Sequence, residues 1–218
     1  MIYEFDDILT REELAKVITT VKHGGFHEGA TGAGWRAQSV KHNEESDSPV
    51  VQEVAKVVGQ ALARSDKFKA LAWPKRLAGF LVSRYKPGMT YGTHVDNALL
   101  NNARSDMSFT LFLSEPDTYE GGELVIEQGD GERIIKPPKG HMVLYSTGAL
   151  HHVAEVTRGE RLAVVGWVRS YVRDPGAREM LYDLDCVMQD LRDRPDDRPI
   201  LDRVAKVRTN LLRLWLDD

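Results

Sequence analysis

Between about Leu77 and Tyr171 the chain is a close series of short runs rich in Val, Ile, Phe and Tyr: LAGFLVSRY, MSFTLFLS, GELVIE, ERIIK, HMVLYS, HHVAEV and RLAVVGWVRSY. Turn-forming pieces separate them, among them KPGMTYG, EPDTYEGG, EQGDG, KPPKG and TRG. β-branched and aromatic residues pack well on a pleated surface, and Gly, Pro and Asp clusters interrupt it. Strands this short and this dense bury their apolar faces by stacking as a sandwich or closing as a barrel. A parallel α/β sheet needs helical crossovers between its strands, and none are visible here.

The flanks read differently. Thr10 and Glu13 form a capping-box pair, each able to satisfy an orphan N–H, ahead of Leu14, Val17, Ile18 and Val21 at helical spacing. HGGFHEGATGAG then reads as turns or loop. A second helix is expected from Ser48-Pro49, with Val50, Val54, Val57, Val58 and Ala61 as its apolar stripe. Beyond Asp174-Pro175-Gly176 the helical period returns. Met180, Leu184, Val187, Met188 and Leu191 make one stripe, and Leu201, Val204, Val207, Leu211 and Trp215 a second, with the charged break RDRPDDRP between them. The expectation is a mainly β fold with flanking helices in three parts. Residues 1–76 are an N-terminal helical and loop support, 77–173 the β core, and 174–218 a helical hairpin packed on it.

Charge and composition remove several classes of function. A formal net charge of -4 over 218 residues gives no general pull toward nucleic acid or an anionic membrane. No run of about 18 apolar residues is present to span a bilayer, and MIYEFDDILTREEL lacks the basic flank and apolar run of a signal peptide. The single cysteine, Cys186, allows no internal disulfide, so a cytoplasmic location is expected.

The chemistry centres on Thr93-His94-Val95-Asp96. On a strand, positions i and i+2 share a face, so His94 and Asp96 are expected to project together. One imidazole and one carboxylate are two of the three ligands of a non-haem iron(II) facial triad. The same pair also occurs as a hydrogen-bonded strand contact. The second half, LYSTGALHHVAEVTRGERLAVVGWV, adds two histidines at the start of a late strand. Alternation sends His151 and His152 to opposite faces, so only one can join the pair. Across the Thr157-Arg158-Gly159 turn, hairpin geometry is expected to fold Arg161 back beside the histidine strand, where its planar fork can take a carboxylate. Tyr85, on an earlier strand, reads either as a hydroxyl donor to a bound cosubstrate or as a packed strand tyrosine. His141, at the start of a strand after KPPKG, is expected to face solvent, and His23, His27 and His42 have no ligand spacing. The loop NALLNNARSD, residues 97–106, reads as a lid or as mere connection.

RYKPGMTYGTHVDNA, FTLFLSEPDTYEGGELVI and PPKGHMVLYSTGALHHVAEVTRGERLAVVGWVRS together resemble the PKHD-type hydroxylases, in the prolyl-4-hydroxylase-like branch of the iron(II)/2-oxoglutarate dioxygenases. REMLYDLD through LLRLWL resembles their small C-terminal domain, so the likeness covers nearly the whole chain. The resemblance implies a double-stranded β-helix, relative of the jelly roll. It also implies Fe(II) on His94, Asp96 and His151, the last chosen by the leucine before it in STGALH, and 2-oxoglutarate on Arg161. L-ascorbate use and a link to iron uptake are further implications of the same kind. The reading is an oxygenase that turns O2 and a 2-oxo acid into succinate and CO2 while hydroxylating a small-molecule or peptidyl substrate, with a homo-oligomer left open. Two alternatives stand beside it: a non-catalytic cupin-like metal-binding or iron-sensing protein, and a nucleic-acid-directed dioxygenase. A sensor has no need of a 2-oxo acid anchor, and the acidic balance disfavours nucleic acid.

Overall fold

A computed structural model of the protein describes residues 2–32 and 35–217. The N-terminal part holds β1 (Ile2–Phe5), α1 (Arg11–Lys22), β2 (Phe26–Glu28), α2 (Trp35–Gln38), β3 (Lys41–His42), β4 (Glu44–Ser46), α3 (Ser48–Arg64) and α4 (Asp66–Ala72). The middle runs β5 (Pro74–Tyr85), β6 (Thr90–His94), β7 (Leu99–Leu100), β8 (Ala103–Arg104), β9 (Met107–Phe112), β10 (Glu120–Gly121), β11 (Leu124–Gln128), β12 (Gly131–Ile135), β13 (Met142–Ser146), β14 (His151–Val153), β15 (Val156–Arg158) and β16 (Arg161–Ser170). Helices α5 (Pro175–Leu191) and α6 (Arg198–Trp215) follow.

Two antiparallel sheets form the body. The larger has seven strands in the order β1-β13-β9-β16-β5-β4-β2, the smaller five in the order β12-β11-β14-β6-β3. Their inner faces meet where Leu124 and Ile126 of the small sheet pack on Phe112, Val143 and Tyr145 of the large one. The outer face of the large sheet is covered by helices: Val17, Val21, Val54, Val58, Leu62 and Phe68 join Phe109, Leu111, Leu144 and Val164 in one core. With both faces covered, β9 buries all six residues of MSFTLF, so it reads as a continuous apolar run. This is the double-stranded β-helix expected, with the capping box of Thr10 and Glu13 formed in both directions.

Several local expectations are corrected. Residues 26–28 are not loop but an edge strand paired with β4, and β1, β3 and β4 also add N-terminal strands to the sheets. Ala33 and Gly34, in the same glycine-rich stretch, lie outside the described residues. The turn at 157–159 does not close a hairpin between β14 and β16. β14 belongs to the small sheet and β16 to the large, while β15 pairs with β10. The apolar run breaks at Ala154-Glu155, where the chain crosses from one sheet toward the other. Residues 97–106 contain a two-stranded hairpin whose turn residues Asn101 and Asn102 have φ of 47° and 57°. Both central φ values positive is the type I′ turn, which Asn tolerates.

The C-terminal hairpin forms, and its packed face keeps Leu211 and Trp215 of the expected stripes but adds Ala177, Leu181 and Leu212. Ala177 and Leu181 pack with Val172, Trp73, Leu211, Leu212 and Trp215, whereas Met180, Val187 and Val207 are exposed. The period identified the helices. Their phase is set by the seat that Trp73 and Val172 provide, which lies far away in sequence or just before the helix.

Candidate active site

His94 is the last residue of β6, and its cross-strand partner is His151, the first of β14. Asp96 lies two residues beyond the end of its strand, in a loop. Nε2 of His94 is 3.8 Å from Oδ1 of Asp96, and Nε2 of His151 is 3.9 Å from its Oδ2. The ligand atoms of the three all lie within 4.8 Å of one another. Adjacent ligands at metal distances of about 2.1 Å sit roughly 3 Å apart, so an inward shift of about 1 Å closes this set on one ion.

Each of the three side chains is held from behind. Nδ1 of His94 is 2.9 Å from the Gly92 carbonyl, and Nδ1 of His151 is 3.0 Å from the Ala149 carbonyl. A carbonyl only accepts, so each Nδ1 carries the proton and each Nε2 presents its lone pair to the centre. Burial, and after it the neighbouring His151, pushes the His94 imidazole down to about 4, so it is neutral near pH 7. Asp96 Oδ2 accepts from the Ser108 hydroxyl at 2.7 Å and the Trp167 indole at 2.9 Å. Those bonds hold the carboxylate through Oδ2 while leaving Oδ1 toward His94. The Tyr91 ring stacks on His94 at 3.6 Å and 13°, and Tyr145 meets His151 edge-on at 5.2 Å.

Arg161 opens β16 on the opposite sheet and faces the same cavity as the triad. It is 1% exposed, with its guanidinium carbon 5.2 Å from the ring centres of both Tyr85 and Phe112. Among the described residues no carboxylate forms an ion pair with it, and its buried Nε has no hydrogen-bond partner. Gly122 makes its room: at φ 67°, a Cβ there would meet Val156 Cγ2 at 2.9 Å and Arg161 Cδ at 3.0 Å. Tyr85 is Arg161's cross-strand neighbour. Burial pushes its hydroxyl up to about 12, opposed by the Arg161 charge and an Asn43 hydrogen bond, so it stays protonated and can donate. The cavity has a volume of about 130 Å³, close to the roughly 150 Å³ that admits a benzene-sized ligand. A neighbouring cavity shares Val95 and Asn97 with it and is lined also by Ser39, Val40 and Leu150.

All five residues expected to form the site, His94, Asp96, His151, Arg161 and Tyr85, line this one cavity. His152 sits across from Val125 on β11, outside the group. His23 bonds the Thr19 carbonyl, His27 bonds Asp47, and His42 bonds the Gly88 carbonyl. Two contributors escaped the sequence reading. Trp167 had a usable signal, because it shares parity with Arg161 on one strand. Ser108 had none, because β9 is buried on both sides. Arg169, of the same nominal parity, is carried away by a register shift after Trp167 and lies 3.9 Å from Asp217 instead.

Comparison with known proteins agrees with this arrangement. The profile of the 2OG-Fe(II) oxygenase superfamily matches residues 80–169, and that of the PKHD-type hydroxylase C-terminal domain matches residues 176–217. An oxidoreductase described as 2OG-Fe(II) oxygenase family, from Burkholderia pseudomallei, superposes with a TM-score of 0.61 at 17% identity, over 76% of this chain and 84% of that one. A prolyl-4-hydroxylase from Pseudomonas putida gives 0.54 at 21% identity, over 78% and 92%. At such identities these neighbours speak for the fold. Fold and profile together define an iron(II)- and 2-oxoglutarate-dependent oxygenase. Within that class, a PKHD-type hydroxylase of Maricaulis maris is 47% identical over 100% of both chains, and one of Picosynechococcus is 44% identical over 99% of both. The chain belongs to the PKHD-type hydroxylases, enzymes that use Fe(II), 2-oxoglutarate and O2, typically with ascorbate.

The residues present fit those groups. Two imidazoles and one carboxylate, with a cavity on their open side, suit iron(II) with exchangeable positions. A buried guanidinium with no counter-ion among the described residues suits a carboxylate of the cosubstrate.

Proposed function

We propose that His94, Asp96 and His151 hold iron(II) and that Arg161, with Tyr85 beside it, anchors the distal carboxylate of 2-oxoglutarate. The observation that carries this is the meeting, in one cavity, of a three-donor cluster with a buried arginine that no carboxylate among the described residues pairs with. When bound, iron(II) and 2-oxoglutarate supply the activation of O2, one oxygen atom going to succinate and the other to a substrate C–H bond. The chain's own part is to bind, orient and shelter. The two Nδ1–H donations fix the imidazole tautomers. Ser108 and Trp167 hold the Asp96 carboxylate in place. Arg161 orients the diacid so that its 2-oxo end faces the triad. Tyr85 adds a ring against the guanidinium and a protonated hydroxyl.

The substrate, a small molecule or a peptidyl side chain, enters past Val40, Val95 and Leu150. No helix among the described residues is long and apolar enough to cross a membrane. We place the protein in the cytoplasm, where a free, exposed Cys186 is kept reduced. The test is succinate formation from 2-oxoglutarate by purified protein with iron(II), O2 and ascorbate. Turnover is expected in the wild type and lost in His94→Ala. Equal succinate from both would remove His94 from the site.

A further inference from the structure

Lys41, Asn43 and Glu45 alternate along β3 and β4, and all three line the cavity. β3 belongs to the small sheet and β4 to the large, so this segment crosses the open edge between them. There the Lys41 and Glu45 side chains, only 5% and 15% exposed, form an ion pair. Taking two charges out of water costs about what their attraction returns, and an apolar pair of similar volume would close the edge as well. The pair therefore calls for another role, and the next contact supplies one. Lys41 is the cross-strand neighbour of Tyr91. Its Nζ lies over the Tyr91 ring, 5.2 Å from the centroid, while the His94 imidazole is stacked 3.6 Å away on that ring. Ammonium, phenol and imidazole thus form a column ending on a residue of the triad. The hydrogen bond from Nδ1 to Gly92 fixes the axis of the imidazole but leaves its tilt free. A stacked ring fixes the tilt, and an ammonium over an aromatic face is attracted by the ring's quadrupole, more so when desolvated.

We propose that Lys41, held by Glu45, is a positioning residue for the metal site: acting through Tyr91, it sets the plane of the His94 imidazole so that Nε2 faces the ion. This rests on the iron assignment above. It extends the site to residues 41 and 45, in a segment that carries no ligand of its own.

The test is iron(II) affinity, measured anaerobically by competition with a colorimetric chelator, alongside the melting temperature of the metal-free protein. Replacing both charges, Lys41→Met with Glu45→Gln, leaves no unpaired buried charge and is expected to weaken iron binding about tenfold or more. Lys41→Arg and Tyr91→Phe, which keep the cation and the ring, should stay within about threefold of wild type. Tyr91→Leu should lose as much as the charge-pair variant, and combining the two should add no more than about threefold, because both break one column. Charge-pair or Tyr91→Leu affinity within about threefold of wild type overturns the proposal, as do losses that multiply. Tyr91→Leu touches neither charge and so decides the matter even if the pair variant fails to fold. Wild-type protein that binds no iron(II) at all would instead sink the iron assignment.

Discussion

Asp96 is the one carboxylate in the three-donor cluster, and it is held from behind by a hydroxyl and an indole. Trp167→Phe removes the indole donor and keeps most of the volume. On the proposed assignment it should weaken iron(II) binding about 10–100-fold, the usual effect of losing a partner that orients a ligand. Metal analysis after dialysis against a weak chelator checks this, and retention equal to wild type would show that the indole bond is idle. Arg161→Ala should leave iron bound but weaken 2-oxoglutarate by roughly 2–5 kcal/mol, the cost of removing one partner from a buried charge pair. Equilibrium binding of the diacid to the iron-loaded variant reads it, and a change below about tenfold, or about 1.4 kcal/mol, would move the anchor elsewhere. The spacing of two picked out His94 and Asp96, although Asp96 stands past the end of its strand and not on the strand face expected, and Arg161 reaches the cavity from the other sheet and not by the hairpin expected. The choice of His151 over His152 needed the family likeness, since alternation alone is symmetric. Ser108 was invisible because its strand buries both faces and shows no parity.

Elements were legible where their own residues decide them and illegible where a distant partner does. Capping at Thr10 and the proline start of α3 are local chemistry, and both formed as read. Whether β16 pairs with β14 or with β5 and β9 depends on strands far away in the chain, and there the hairpin expectation failed. Segment 97–106 was read as a lid or mere connection, yet Asn101 ties its hairpin to β5 by donating to the Ala78 carbonyl at 2.9 Å and accepting from Arg76 at 2.7 Å. Asn102→Gly should be tolerated at φ 57°. Asn102→Val, a β-branched residue forced into the left-handed region, should cost about 1–2 kcal/mol and lower Tm by roughly 2–8 °C. Thermal melts of both variants check this, and equal melting would mean the turn relaxes freely. At the other end, α5 and α6 cover Val172 and Trp73 and close with a bridge from Val172 to Leu216. Truncation after Asp174 should therefore give aggregated or strongly destabilised protein. A monodisperse truncate with unchanged Tm would show that the hairpin does not support the core.

At the scale of the whole molecule, the sandwich brings two half-sites together: two histidines from the small sheet, with Asp96 in the loop beyond β6, and an arginine from the large one. Helices on the outer face bury the large sheet on both sides, and the rows of β16 and β5 that face inward are thereby free to carry Arg161, Trp167 and Tyr85. The density of short strands made this architecture legible. The order of strands, which decides what faces the cavity, is a property of pairings that no single segment encodes. The central claim is that iron(II) and 2-oxoglutarate share this cavity, one on the triad and the other on Arg161. The most direct measurement is an anaerobic titration of metal-free protein with iron(II) and then 2-oxoglutarate, following the visible metal-to-ligand charge-transfer band, in wild type, His151→Ala and His152→Ala. The band should appear in wild type and His152→Ala and be absent in His151→Ala. A band that survives in His151→Ala and vanishes in His152→Ala, or one that never forms in wild type, would contradict the account.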